Sequence, residues 1–274
     1  MSFLKNLFAG VAKKPAAPQE PRADRVAAIV AQMESMVQPC LRLAAGGGGR
    51  SRLGGWPEMT GPWPRYEGRP LSLVAQLQLE EVRAAGGPDW LPAAGRLLFF
   101  YEFEHGAWGL APEDLGSFAV RWETGVAAPA TPPADLTEGQ FADFPVTFTT
   151  DRSFPDAERL DIDWRNLSRK EDRALEVALE AMAPAEPVHQ IGGYACAIQG
   201  DQMDVECQKI NQRLHPADEA AGDGAADWRL LLQIDTDEAA GMMWGDTGRI
   251  YFWIREQDAR AGDFGKAWMI LQCS

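Results

Sequence analysis

The 274-residue chain is 46% hydrophobic and 24% charged, a balance that excludes a disordered, collagen-like or polytopic membrane chain. Lysine plus arginine number 26 against 40 acidic residues, a net charge of −14. A surface that acidic repels phosphate backbones and excludes general nucleic-acid binding.

The first fifty residues differ from the rest: they carry +4, which leaves −18 for residues 51–274. Phe3, Leu4, Leu7, Phe8 and Val11 recur at helical spacing ahead of Lys13-Lys14. A basic amphipathic helix can lie on anionic lipid, but three turns are marginal alone. The expectation is a frayed or docked tail, with weak peripheral membrane contact as the alternative. Met1–Lys14 lacks a signal-peptide core, and no uncharged apolar run approaches the ~20 residues of a membrane span, so the cytoplasm is the expected address. Residues 15–21 (PAAPQEP) read as a linker. Val26, Ile29, Val30, Met33 and Val37 then form one helical stripe that stops before Pro39. Cys40–Leu43 follows as a short apolar strand, and Gly46–Gly49 as a loop.

An ordered repeat comes next. Arg52-Leu53-Gly54-Gly55-Trp56 is echoed by Gln190-Ile191-Gly192-Gly193-Tyr194, and Leu73–Leu77 by Leu230–Ile234. Gly95–Phe100 is echoed by Gly248–Trp253, and Phe118–Trp122 by Trp268–Gln272. The offsets are 138, 157, 153 and about 150 residues, so only the loops change length. Strands such as Ile250–Ile254 are apolar on both alternating faces and must be covered on both. Ser168-x-x-Glu171 opens an amphipathic helix through Leu175, Ala178, Leu179 and Met182, one candidate cover. The expected class is α+β: two copies of a β-rich unit, about 52–122 and 190–272, packed as one domain with covering helices. Residues 1–50 form a basic tail, linker and helix, and 51–274 the domain.

The Gly-Gly motifs with their aromatic neighbours, the Leu230-Leu231-Leu232-Gln233-Ile234-Asp235 string, Trp244–Phe252 and the terminal Trp268–Cys273 together resemble the YwqG-like family, a bacterial domain of unknown function (DUF1963). The resemblance covers about Ser51–Ser274. It implies an α+β fold with a duplicated unit and no established reaction, and some members look like immunity proteins encoded beside toxins.

Among chemistry-bearing patterns, His105, His189 and His215 form no zinc-ligand pair, and no P-loop, dinucleotide fingerprint or nucleophile elbow is present. No metal and no cofactor are expected. Cys40, Cys196, Cys207 and Cys273 show no zinc spacing; Cys40, Cys196 and Cys273 lie beside apolar residues, as reduced core thiols do. The Gly46–Gly49 run beside Arg50 and Arg52 reads as a loop rather than an anion nest. Asp161/Asp163, Asp235/Asp237 and Asp201-x-x-Asp204-x-Glu206 read as solvated carboxylates rather than acid–base pairs or a calcium loop. Gln76 and Gln233 share one repeat position at the polar ends of apolar strands, where each either ties down backbone or lines a cleft between the copies. Trp244, Asp246 and Arg249 form a polar turn in which Arg249 can pair with Asp246. These five are the candidate binding residues. Ten tryptophans and the acidic body point to a non-catalytic binding module meeting a basic protein partner, such as a toxin. The alternatives are a hydrolase or transferase using cleft carboxylates, or a small-molecule sensor with its site between the copies.

Overall fold

The computed structural model describes residues 25–156, 159–160, 167–212 and 224–274. The N-terminal amphipathic segment, its linker, Asp161, Asp163 and His215 lie outside them. Helix α1 spans Arg25–Ser35 and leads into strand β1, Gln38–Ala45. Strands β2 (Arg52–Leu53), β5 (Ser72–Gln78), β6 (Arg96–Tyr101) and β7 (Phe118–Glu123) form one wing of a sheet. A small hairpin of β3 (Arg65–Tyr66) and β4 (Arg69–Pro70) stands apart, and the short helix α2 (Leu79–Ala84) follows β5. Strand β8 (Phe144–Ser153) comes next, then helix α3 (Arg169–Met182). Strands β9 (His189–Ile191), β10 (Trp228–Asp235), β11 (Arg249–Arg255) and β12 (Trp268–Gln272) form the other wing. Helices α4 (Met203–Asn211) and α5 (Glu256–Arg260) decorate it.

Among the described residues, ten of the twelve strands, all but β3 and β4, join one antiparallel sheet in the order β12-β11-β10-β9-β1-β8-β2-β5-β6-β7. The sheet curls until it nearly closes. Its inner faces then cover each other. Phe99 packs edge-on against Phe252 at 5.1 Å between centroids, and the terminal strands meet through Phe118 and Trp268 at 5.0 Å. The loop after β6 seals the β12 edge: Leu271 N–H donates to the Trp108 carbonyl, and the Trp268 indole to that of Gly109 (2.7 Å). Phe99, Phe252, Leu232 and Ile270 are all fully buried.

This corrects the expected α+β class, two copies of a β-rich unit packed as one domain with covering helices. The chain is mostly a single ten-stranded antiparallel sheet with few helices. Strands apolar on both faces do need two covers, but curling supplies one of them without a helix layer. The outer faces are covered by Met59 and Trp63 over Leu98 and Phe100, and by α4 with Cys207 and Ile210 over the other wing. Helix α3 is capped as its sequence requires, with Ser168 N–H donating to Glu171 Oε2 at 2.7 Å. It packs on α1 through Leu175, Ile29 and Met33, in a cluster of its own beside the main core.

Candidate functional site

Two glycine turns face each other where the wings meet. Gly192 and Gly193 both have positive φ (70° and 69°), and a Cβ on Gly193 would lie 2.1 Å from Ser153 Oγ. The turn therefore lies directly on β8, and the Tyr194 N–H donates to that hydroxyl at 2.9 Å. Opposite, α2 ends at Gly86 and Gly87, and a Cβ on Gly192 would touch Pro88. Between and beside these turns opens a cleft of about 630 Å³. Cys40 and Leu41 of the central strand line it, with Trp90, Tyr194, Trp228 and Trp253 as aromatic walls. It is the size of a small-ligand pocket.

The charges lining this cleft are all spoken for. Arg159 holds both Asp201 and Asp204, with Nη2 3.0 and 3.1 Å from their oxygens. Burial disfavours its charge, but the two carboxylates outweigh that and keep the guanidinium protonated beyond its ordinary range. Arg229 pairs with Glu256 at 3.0 Å, and Asp89 with Arg260 at 3.2 Å. Burial pushes the Cys40 thiol up to about 11, which keeps it a neutral thiol rather than a nucleophile at pH 7. All four cysteines are free, and Cys196 is only half-buried.

The five residues expected to bind lie elsewhere: Gln233, Trp244 and Arg249 meet around Cys196 and Asp235, whereas Gln76 lies on the other wing. Gln76 is fully buried; its Oε1 accepts the Glu58 N–H (2.8 Å) and its Nε2 donates to the Arg50 carbonyl (3.2 Å). Gln233 is also fully buried; it accepts the Cys196 N–H (2.9 Å) and donates to the Val188 carbonyl (2.8 Å). Glu58 and Cys196 stand 138 positions apart, as do Arg50 and Val188, the same offset as the Gly-Gly motifs. Both amides tie down backbone. Trp244 is buried, with its indole on the Asp235 carbonyl at 3.1 Å. Asp246 is exposed and does not hold Arg249. Arg249 instead pairs with Asp235 (2.8 Å) and Glu186 (2.7 Å) and donates to the Cys196 carbonyl (3.0 Å). Asp235 is the nearer partner because it sits directly across the ladder from Arg249 in the β10–β11 pair.

The remaining polar patterns are also absorbed by the fold. Glu81 accepts the N–H groups of Arg50 (2.7 Å) and Ser51 (3.1 Å), so its own carboxylate fills the turn after Gly49. Glu102, Glu104 and His105 place donor atoms within 4.8 Å of one another, a spacing that suits a cation. Arg69 already stands 3.7 and 3.9 Å from the two carboxylates. Asp235 and Asp237 serve β9: Asp235 accepts the Val188 N–H, and Asp237 lies 3.1 Å from His189 Nε2. The Asp235 N–H donates to His189 Nδ1, so the proton of this buried imidazole is on Nε2 and points at Asp237.

Burial lowers the His189 pKa, with Asp237 opposing it. The folded protein then binds this proton less readily than the unfolded chain, so stability falls as pH drops below the unfolded value of ~6.5. Denaturant melts at pH 7.5, 6.5 and 5.5 should fall more steeply for the wild type than for His189→Gln, by up to ~1.4 kcal/mol per pH unit. Parallel curves would show that His189 does not carry this dependence.

The cleft went unnoticed in the sequence because its walls come from residues 40, 90, 159, 204, 228 and 253. Only the Gly192-Gly193 pair signals a turn there in the sequence. No helix among the described residues is long and apolar enough to cross a membrane. No curated protein matches the chain. Residues 51–273 match the family described as a domain of unknown function, DUF1963, and the chain belongs to that family.

Proposed function

We propose that this protein is a non-catalytic binding module whose site is the cleft between the wings. The observation that carries this reading is the pairing of every charged side chain lining the cleft: Asp89, Arg159, Asp204 and Arg229 each hold an opposite charge. General acid–base catalysis needs a group free to gain or lose a proton beside the substrate. Here burial raises the Asp201 carboxyl while Arg159 opposes it and takes both of its oxygens. Ala226 lines the cleft and is exposed, so Ala226→Trp fills the site without entering the core. A thermal-shift screen of small molecules should return ligands that raise the Tm of the wild type and not of this variant. Hydrolase or transferase turnover that Ala226→Trp abolishes would overturn the reading in favour of the enzyme.

The net charge of −14 favours a second reading, a basic protein partner on the exterior. Such a complex should associate more slowly as salt rises, because exposed charges are screened beyond ~8 Å at physiological ionic strength.

A further inference from the structure

We infer that the apolar groove between α1 and α3 is the docking site of the chain's own N-terminal segment, residues 3–11. The inference goes beyond the cleft and does not rest on it. Helix α3 carries the stripe Leu175, Ala178, Leu179 and Met182, yet only Leu175 is buried; the other three stay half-buried. A groove of about 280 Å³ opens beside Leu179 and Met182, walled by Met33 of α1, by Phe154 and Pro155 after β8, and by Ala195. An amphipathic helix whose apolar face is only partly covered, beside an apolar groove, offers a surface for another apolar face.

Chain length, residue pattern and charge select the occupant. Residues 1–24 lie outside the described residues and end where α1 begins, at Arg25. Met33 stands about 12 Å along α1 from that start. Residues 15–24 can span up to ~33 Å, so the segment before them reaches the groove. In that segment Phe3, Leu4, Leu7, Phe8 and Val11 recur at helical spacing, the pattern of a helix laid into an apolar groove.

The charges agree. Residues 1–14 contain Lys5, Lys13 and Lys14 and no acidic residue. On α3, the exposed Glu176 and Glu180 flank the apolar stripe, and residues 174–182 contain no basic residue. A three-turn segment binds weakly by itself, but its tether holds it beside the groove at an effective concentration on the order of millimolar. The alternative occupant of the segment's apolar face is anionic lipid. The −18 carried by residues 51–274 repels such a surface and attracts the segment.

Methyl spectra of the full chain with labelled methionine test the docking. Leu7 lies outside the described residues, so Leu7→Asp removes none of the contacts described above. It places a carboxylate on the apolar face, where burial without a partner is disfavoured. The variant should shift the Met33 and Met182 methyl resonances and leave that of Met203, fully buried in α4, in place. Carbodiimide, which joins an amine directly to a carboxylate, should couple Lys13 or Lys14 to Glu176 or Glu180 within the monomer. These cross-links should fall at least about fivefold in Leu7→Asp, the ratio set by a loss of about 1 kcal/mol. Met33 and Met182 resonances identical in the two proteins would overturn the docking. Sedimentation of the wild type, and not of Leu7→Asp, with phosphatidylglycerol vesicles would then assign the segment to lipid. Cross-links confined to a dimer would place the segment on a second copy and overturn the intramolecular site.

Discussion

Phe252→Ala is expected to destabilise the fold by about 3–5 kcal/mol, the usual cost of truncating a buried aromatic. Phe252 is fully buried at the centre of β11, where its ring meets Phe99 from the opposite wing. That contact joins the two faces that the curled sheet brings together. Removing the ring therefore opens a cavity on the axis of closure, where neighbours on two strands would have to move to fill it. Equilibrium denaturation measures the change directly. A loss below about 1 kcal/mol would place Phe252 at a tolerant surface position and contradict the curled architecture.

The second large effect is expected at Arg96, which is buried although charged. Its Nη2 lies 3.1 Å from Glu123, its Nη1 donates to the Gly125 carbonyl (2.8 Å), and its Nε donates to the Glu58 carbonyl. Arg96 and Glu123 stand directly opposite each other in the β6–β7 pair, so the strand ladder fixes their approach. Arg96→Met should cost about 3 kcal/mol, because it strands a buried carboxylate and two carbonyls. This is the low end for such a loss, since Arg121 remains 3.2 Å from the other Glu123 oxygen. Adding Glu123→Leu should recover part of the loss, because the double variant leaves no buried carboxylate without its cation. A double variant no more stable than Arg96→Met alone would mean that the carbonyl contacts, and not the ion pair, carry the energy.

Local structure was legible where a short-range rule dominates. The stripe from Val26 to Val37 and the capping pair Ser168–Glu171 each mark a helix, although the first ends at Ser35 and leaves Val37 outside it. The apolar blocks at Leu73–Leu77, Gly95–Phe100, Leu230–Ile234 and Gly248–Trp253 supplied the strands of the two wings. The class was misread for a physical reason. Two-faced burial does not say what covers the strands, and a sheet that folds over itself substitutes for helices. Strand β8 carried no motif because most of its side chains are exposed, with only Val146 and Ser153 buried. It nevertheless joins the wings through β1 and β2.

The candidate site was less legible. Gln76 and Gln233 stand at the polar ends of apolar strands, where amides are most often spent on backbone, as they are here, and Arg249 of the polar turn is spent on Asp235 and Glu186. The cleft depends instead on Arg159 reaching Asp201 and Asp204 across more than forty residues, and on two glycine turns from different wings. No spacing rule announces contacts of that range.

The most direct test of the cleft as the binding site is a crystal structure grown with a saturating ligand from the thermal-shift screen. The ligand is expected in the cleft, against Tyr194 and Trp228. A ligand seated instead in the smaller groove between Met33, Leu179 and Met182, with the cleft left empty, would contradict the cleft as the binding site.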